Sequence, residues 1–339
     1  MNSMQILRRW ATRHAPWLGL AGLFGLTQQA AAAEYEHSPQ VAEFVAEMTR
    51  DYGFASEQLL SLFAEAERKQ SILDAISRPA EKVKPWKDYR PIFITDSRIA
   101  RGVDFWREHE QVLARAEQEY GVPAQVIVAI IGVETFYGGN TGNYRVVDAL
   151  STLAFDYPPR APFFRKELRE FLMLAREEQV DPLSLKGSYA GAMGLPQFMP
   201  SSFRAYAVDF DGDGHINIWT NPDDAIGSVA SYFKRHGWQP GEPVVSAASI
   251  QGEQAEQGLT QGLDPVKTVG ELRQLGWASA APLTDELPVT AFRLEGAEGD
   301  EYWLGLPNFF VITRYNRSVM YAMAVNQLAE LLVDARGAH

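Results

Sequence analysis

The chain has 339 residues, with 43 acidic against 31 basic side chains and a formal charge of −12; that balance excludes a nucleic-acid binder, because phosphate contacts need basic patches. A composition 46% hydrophobic and 12% aromatic is that of a folded chain, long enough for one large or two ordinary domains, and excludes disorder as the default. There is no cysteine, so neither a disulfide nor a lipid-bearing cysteine can form.

Arg8, Arg9 and Arg13 precede an apolar run from Trp17 to Leu26, which ends in Ala30 to Ala33 ahead of Glu34. This is the layout of a secretory signal peptide over residues 1–33. The apolar run is about 10 residues, where a membrane span takes about 20, so cleavage near residue 33 is expected, with a soluble periplasmic product and no membrane anchor in the mature form. Loss of three arginines and no acids leaves the mature chain at −15.

From Pro39 to Ala116 apolar residues recur at three- and four-residue spacing, as in Val41 to Met48 and Glu57 to Phe63, which predicts helices. A proline- and aromatic-rich connector, Pro85 to Phe93, is expected to interrupt them. Pro123 opens a further helix, since proline suits a first turn; its apolar run is Val126 to Val133, and Gly138 and Gly139 end it. Helices are predicted again over Phe164 to Glu178, Pro200 to Ala207 and Asp224 to His236, before a breaker at Gly237 to Pro240. Between Glu242 and Thr313, glycines and β-favouring runs such as Val289 to Arg293 and Phe309 to Thr313 predict a small sheet. Gln251 to Gln261 is a polar loop, and Val319 to Asp334 is a final helix packing back on the first helical part. No internal repeat or low-complexity tract is present, and the class is mainly α with a minor β portion, α+β.

Glu134 stands out because Val126, Ile127, Ile130 and Ile131 precede it on one helical face. A helix apolar nearly all round is buried. A carboxyl there either pairs with a cation or has its pKa raised by desolvation, and a value near neutrality is what a general acid needs. A structural ion pair or a position at the helix end fits a lone glutamate as well. Downstream, Gly187 to Ser202 (GSYAGAMGLPQFMPSS) holds three glycines, two prolines and small polar residues; it reads either as a tight loop capping the next helix or as backbone that approaches a ligand closely beside groups able to orient a sugar.

Asp209, Asp211 and Asp213, with Gly214 next and His215 as a carbonyl donor, match the first half of an EF-hand calcium loop. Thr220 stands where the usual closing glutamate would be, and Asp224 is placed to close a longer loop over residues 209–224. An acidic surface turn with Asx hydrogen bonds is the plainer alternative.

Four segments in this order, Ile130 to Thr135 (IIGVET), Leu150 to Pro158 (LSTLAFDYP), Gly187 to Ser202 and Gly212 to Asn217 (GDGHIN), resemble the lytic murein transglycosylase B family, as a soluble member without a lipid anchor. The likeness runs from about Tyr89 to the C-terminus. It implies a lysozyme-like catalytic core over 121–240, a flanking helical domain over 34–120 joined by a C-terminal helix over 314–339, and a small β subdomain over 241–313. By resemblance Glu134 is the single catalytic glutamate and Ser188 and Gln197 lie near it. Tyr232, Tyr315, Asn316 and Tyr321 contact sugar or support the glutamate, and Tyr89 and Arg160 take less specific places in the cleft. Where part of the family has paired arginines after the tyrosine and proline, this chain has Pro159 and Arg160.

The implied reaction cuts the MurNAc–GlcNAc β-1,4 bond of peptidoglycan and leaves 1,6-anhydroMurNAc ends. One glutamate suffices if it first protonates the leaving oxygen and then takes the proton of the sugar's own C6 hydroxyl, an intramolecular attack that exploits proximity. Ordinary glycosidases need two carboxylates, and no second acid stands out near Glu134. A water-using muramidase and a non-catalytic peptidoglycan-binding protein remain the alternatives. The expected partners are glycan strands of peptidoglycan and other cell-wall enzymes. The expected cofactor is a structural Ca2+, with Asp224 a ligand on the family resemblance, and no organic cofactor.

Overall fold

A computed structural model describes residue 35, residues 37–77 and residues 84–338; the signal peptide expected over residues 1–33 lies outside the described residues. The described residues divide into two compact units, one ending at Arg68 and the other beginning at Lys69.

In the first unit, helix α1 (Pro39–Tyr52) carries proline in its first turn and stops at Gly53, whose φ of 68° is the left-handed conformation glycine takes without penalty. Val41, Phe44, Val45 and Met48 fall on one face and are buried. Helix α2 (Ser56–Glu65) buries Leu59, Leu62 and Phe63, and the Phe44 and Phe63 rings meet edge-on with centroids 5.9 Å apart.

The second unit begins with α3 (Gln70–Ile76). The stretch expected as a connector is helical, α4 (Trp86–Phe93). Trp86 is buried, and Tyr89 stacks on it with centroids 6.2 Å apart, so aromatic burial at helical spacing outweighs Pro91, which removes one N–H near the end of a short helix. Helix α5 (Asp96–Glu108) starts where Thr95 accepts a hydrogen bond from the Arg98 amide, and α6 (Glu110–Tyr120) follows. In α7 (Ala124–Thr135) every residue except Gln125 and Glu134 is buried.

Strands β1 (Tyr144–Arg145) and β2 (Lys186–Gly187) form a small antiparallel ladder around α8 (Val146–Asp156) and α9 (Ala161–Glu177). Helix α8 is buried from Val146 to Phe155; lacking a polar face, it has no amphipathic period for a sequence reading to find. Helices α10 (Pro200–Tyr206) and α11 (Pro222–Arg235) complete this part.

Five antiparallel strands, β3 (Val245–Ile250), β4 (Lys267–Thr268), β5 (Trp277–Ser279), β6 (Pro288–Gly296) and β7 (Gly299–Gly305), lie in the order β4-β6-β7-β3-β5, with a short helix α12 (Val269–Gln274) after β4. Strand β6 is buried on both faces: Val289 and Ala291 pack with Leu272, Trp277 and Leu304, while Phe292 and Leu294 join the helical core.

The last β-favouring run, Phe309 to Thr313, is not a strand. It lies in helix α13 (Pro307–Tyr315). Periodicity cannot separate so short an apolar run from a buried helical segment, and two local features choose the helix. Pro307 occupies its first turn, and the buried Asn308 side chain accepts from the Gln239 amide (2.8 Å) and donates to the Gln239 and Glu242 carbonyls (2.9 Å each). Phe309 then stacks on Phe292 at 4.9 Å.

The closing helix α14 (Val319–Gly337) packs along α7 and against α4 and α5. It buries Ala322, Met323, Val325, Leu328 and Leu332, and each large apolar side chain so buried stabilises by about 1.5–3 kcal/mol. No helix among the described residues is long and apolar enough to cross a membrane.

Candidate active site

Glu134 is the penultimate residue of α7, partly exposed at the end of an otherwise buried helix. Desolvation there raises its pKa from the ordinary 4.5 to about 7, opposed by a hydrogen bond from Tyr321. The Tyr321 hydroxyl donates to Glu134 Oε1 at 2.6 Å, from a side chain that α14 buries. Among the described residues no other carboxylate perturbs Glu134. Its charge instead reaches tyrosines: Tyr89, Tyr315 and Tyr321 are all held above the usual phenol pKa, by burial first and then by Glu134. These phenols stay protonated at neutral pH, so they can donate to the carboxylate but cannot compete with it as acids.

The segment from Gly187 to Met199 passes beside this group. Thr135, next to Glu134, donates its hydroxyl to Leu195 O at 3.0 Å, and Tyr315 donates to Pro196 O at 2.5 Å, which pins the loop to α7 on one side and α13 on the other. Gln197 follows with a φ of 50°, rare for a residue with a Cβ, and its side-chain amide donates to Thr141 O (3.1 Å) and Gly194 O (2.9 Å). Ser188 Oγ accepts from the Ala192 amide at 3.0 Å, closing the first turn of the loop. Gly142 is required by contact, since a Cβ there would collide with Gly187 O.

Tyr232 backs the site. Its hydroxyl donates to Arg314 O at 2.6 Å, and its ring lies 4.8 Å from Tyr315 and 5.7 Å from Phe198. Asn316 is exposed in extended backbone just past α13. Arg160 is exposed on a short 3-10 turn, its guanidinium 4.4 Å above the Phe163 ring.

Farther along, carboxylate oxygens of Asp209, Asp211 and Asp213 lie within 4.8 Å of one another. Asp209 accepts from the amides of Gly212, Asp213 and Gly214, and these bonds, that from Gly214 first, hold its pKa below the ordinary value. Asp224 is fully buried behind the loop and accepts from Phe210 N and Asn217 N, each at 2.7 Å. Burial raises its pKa, and the charge of Asp211 adds to the rise. Three carboxylates lying within 4.8 Å of one another, two exposed and that of Asp209 half-buried, suit a hard divalent cation such as calcium.

Residues 36–330 match the family model described as the transglycosylase SLT domain. Over 312 residues the chain is 46% identical to the membrane-bound lytic murein transglycosylase B of Escherichia coli K12, covering 89% of this chain and 85% of that one. The chain belongs to the lytic murein transglycosylase B family. Among solved structures, a catenated form of the lytic transglycosylase SltB1 from Pseudomonas aeruginosa is 73% identical with a TM-score of 0.88, covering 90% of this chain and all of that one. The E. coli lytic transglycosylase Slt35 in complex with calcium is 46% identical with a TM-score of 0.83, covering 90% and 96%.

This family member is therefore a peptidoglycan lytic transglycosylase with a mainly α, lysozyme-like architecture and a small sheet. Of the residues singled out in its sequence, the fold gathers Glu134, Tyr321, Tyr315 and Tyr89 into one electrostatic group and sets Tyr232 against Tyr315. It places Ser188 and Gln197 in the pinned loop. It brings neither Arg160 nor Asn316 into a hydrogen bond with that group among the described residues. Thr135 and Thr141 hold the loop in the transglycosylase, and the sequence reading passed over both. They act through backbone carbonyls or partners about 60 positions away, a relation that leaves no local signal.

Proposed function

We propose that this transglycosylase cleaves the β-1,4 bond between MurNAc and GlcNAc in peptidoglycan strands, with Glu134 as acid and then base. Protonated Glu134 gives its proton to the leaving glycosidic oxygen as the bond to C1 breaks. The resulting carboxylate takes the proton of the muramoyl C6 hydroxyl as that oxygen bonds to C1, which restores protonated Glu134 and leaves a 1,6-anhydro end with no water consumed. What carries the reading is a carboxyl that no other described carboxylate perturbs and whose pKa is raised to about 7, because an acid–base group works best when its pKa lies near the operating pH. Tyr321, donating to Oε1, would orient the carboxylate, and the Ser188–Gln197 loop would orient the sugars.

The same reading keeps residues 121–240 as the catalytic core, between the helical part over 34–120 and the β part over 241–313. It makes the protein an exported, periplasmic one whose partners are glycan strands and other cell-wall enzymes. Calcium, when bound, would rigidify the loop 209–224, held by Asp209, Asp211, Asp213 and the His215 carbonyl. Asp224 retains lone pairs beyond the two amides it accepts from.

The test is mass spectrometry of fragments released from purified sacculi by the wild type and by Glu134→Gln. Anhydro ends are expected from the wild type, and loss of release by at least about 10²–10⁴-fold in the variant, the usual contribution of positioned acid–base catalysis. Reducing muramic ends from the wild type would make the enzyme a hydrolase, and near-normal release by Glu134→Gln would end the single-glutamate mechanism.

A further inference from the structure

Directly after the helix that carries Glu134, two consecutive residues hold left-handed backbone, Phe136 with a φ of 53° and Tyr137 with a φ of 59°. That conformation is unfavourable for any residue with a Cβ; two in a row persist only where the surroundings over-determine them, and such corners collect at functional sites.

The surroundings here do two things. First, the Tyr137 ring fills a notch between α5 and α7 that exists because Gly102 and Gly132 have no side chains: a Cβ on either would collide with the Tyr137 hydroxyl. Second, Arg98 in the first turn of α5 clamps the corner. Its Nε donates to Gly132 O at 3.1 Å and its Nη1 to Ile92 O at 2.7 Å. The guanidinium carbon lies 5.2 Å from the Phe136 ring centroid and 5.4 Å from that of Phe93.

Gly132 O is also the carbonyl that accepts from Phe136 N, at 3.1 Å, in closing the last turn of α7. Ile92 and Phe93 belong to α4, the helix that supplies Tyr89. One planar cation thus joins the end of the helix bearing Glu134 to the helix bearing a tyrosine that senses its charge. Among the described residues no carboxylate pairs with Arg98; its hydrogen bonds go to backbone carbonyls, the pattern of a geometric clamp rather than an ion pair. A cation at a helix C-terminus also offsets the partial negative charge of its free carbonyls.

We propose that Arg98 is a positioning residue for the reaction: by bridging Gly132 O and Ile92 O and lying on Phe136, it fixes the corner after α7 and with it the place of the Glu134 carboxyl. The inference rests on Glu134 being the acid and base, and it adds a residue that touches no substrate. Lysine cannot substitute, because a point charge on a flexible stem does not span two carbonyls while lying flat on two rings.

The experiment measures kcat, KM and melting temperature for Arg98→Lys, Arg98→Ala and Arg101→Ala, counting all fragments released from glycan strands whatever their end group. Arg101 also lies over Phe136, at 5.7 Å, without a hydrogen bond to α7 among the described residues. Both Arg98 variants should lose on the order of ten- to a hundredfold in kcat, the scale of a small misplacement of a reacting group, with KM held within about threefold and melting still above the assay temperature. Millimolar methylguanidinium should restore part of the kcat of Arg98→Ala and none of that of Glu134→Gln, and Arg101→Ala should stay within about twofold of the wild type.

Wild-type kcat in both Arg98 variants would overturn the proposal, as would losses that follow the melted fraction and resist guanidinium. An equal loss in Arg101→Ala would overturn it too, by assigning the effect to ring stacking. If Arg98→Ala does not fold, Arg98→Lys, which keeps charge and bulk, decides alone. A wild type that releases no fragments would overturn the proposed reaction instead.

Discussion

At Glu134 desolvation and hydrogen bonding act in opposite directions, and desolvation wins because, among the described residues, Tyr321 is the one hydrogen-bond donor to a carboxylate that ends an apolar, buried helix. The folded chain therefore holds a proton that the unfolded chain would release. Below about pH 4.5 the carboxyl is protonated in both states and contributes no difference; as pH rises toward about 7 only the unfolded state ionises, so stability falls through that window and the deficit is constant above it. The shift corresponds to a deficit on the order of 3 kcal/mol. Glu134→Gln should thus melt higher than the wild type at pH 8 and with it at pH 4. Equal melting temperatures across that range would mean the carboxyl is not desolvated. The presence of an acid in an apolar helix is legible in the sequence, from Val126 to Glu134 alone. Its hydrogen-bond donor lies 187 positions away, and Arg98 reaches its partner carbonyl across 34. Neither pairing has a local pattern, since a backbone carbonyl belongs to every residue type.

Among the elements, α1, α7, α11 and α14 follow from spacing and end signals, because each pairs an apolar stripe or run with a proline, an Asx or Ser cap, or a glycine stop. Helix α8 and the Phe309–Thr313 segment do not: the first has no polar face, and the second is too short for period two and period 3.6 to diverge. The aspartate loop is legible as a motif, and the carboxylates of Asp209, Asp211 and Asp213 do lie within 4.8 Å of one another. What the sequence does not convey is that Asp224 already accepts two amides from within the loop's own span, from Phe210 and Asn217. With that brace in place, calcium added to stripped protein should raise the melting temperature by a few degrees, since a ligand at 100 times its Kd adds about 2.7 kcal/mol. Asp211→Asn should shrink the shift. An unchanged melting curve at saturating calcium would remove the ion from the account.

For the molecule as a whole, the acidic balance and the arginine-led apolar run at residues 8–26 both bear on the proposed export. The proposed export removes three arginines and takes the charge from −12 to −15, and mass spectrometry of the protein isolated from cells should find a mature N-terminus near Glu34; an intact leader on the active enzyme would argue against release from the membrane. The helical core draws its tyrosines from widely separated parts of the chain: Tyr89 comes from α4, Tyr315 from α13 and Tyr321 from α14. Synthesis runs from the N-terminus, so Glu134 is made well before Tyr315 and Tyr321. Its hydrogen-bond donor Tyr321 sits on the last helix, so the proposed acid gains its orienting partner only once the C-terminal end of the chain is in place. Under the proposed mechanism, activity is thereby tied to completion of the fold at its C-terminal helix.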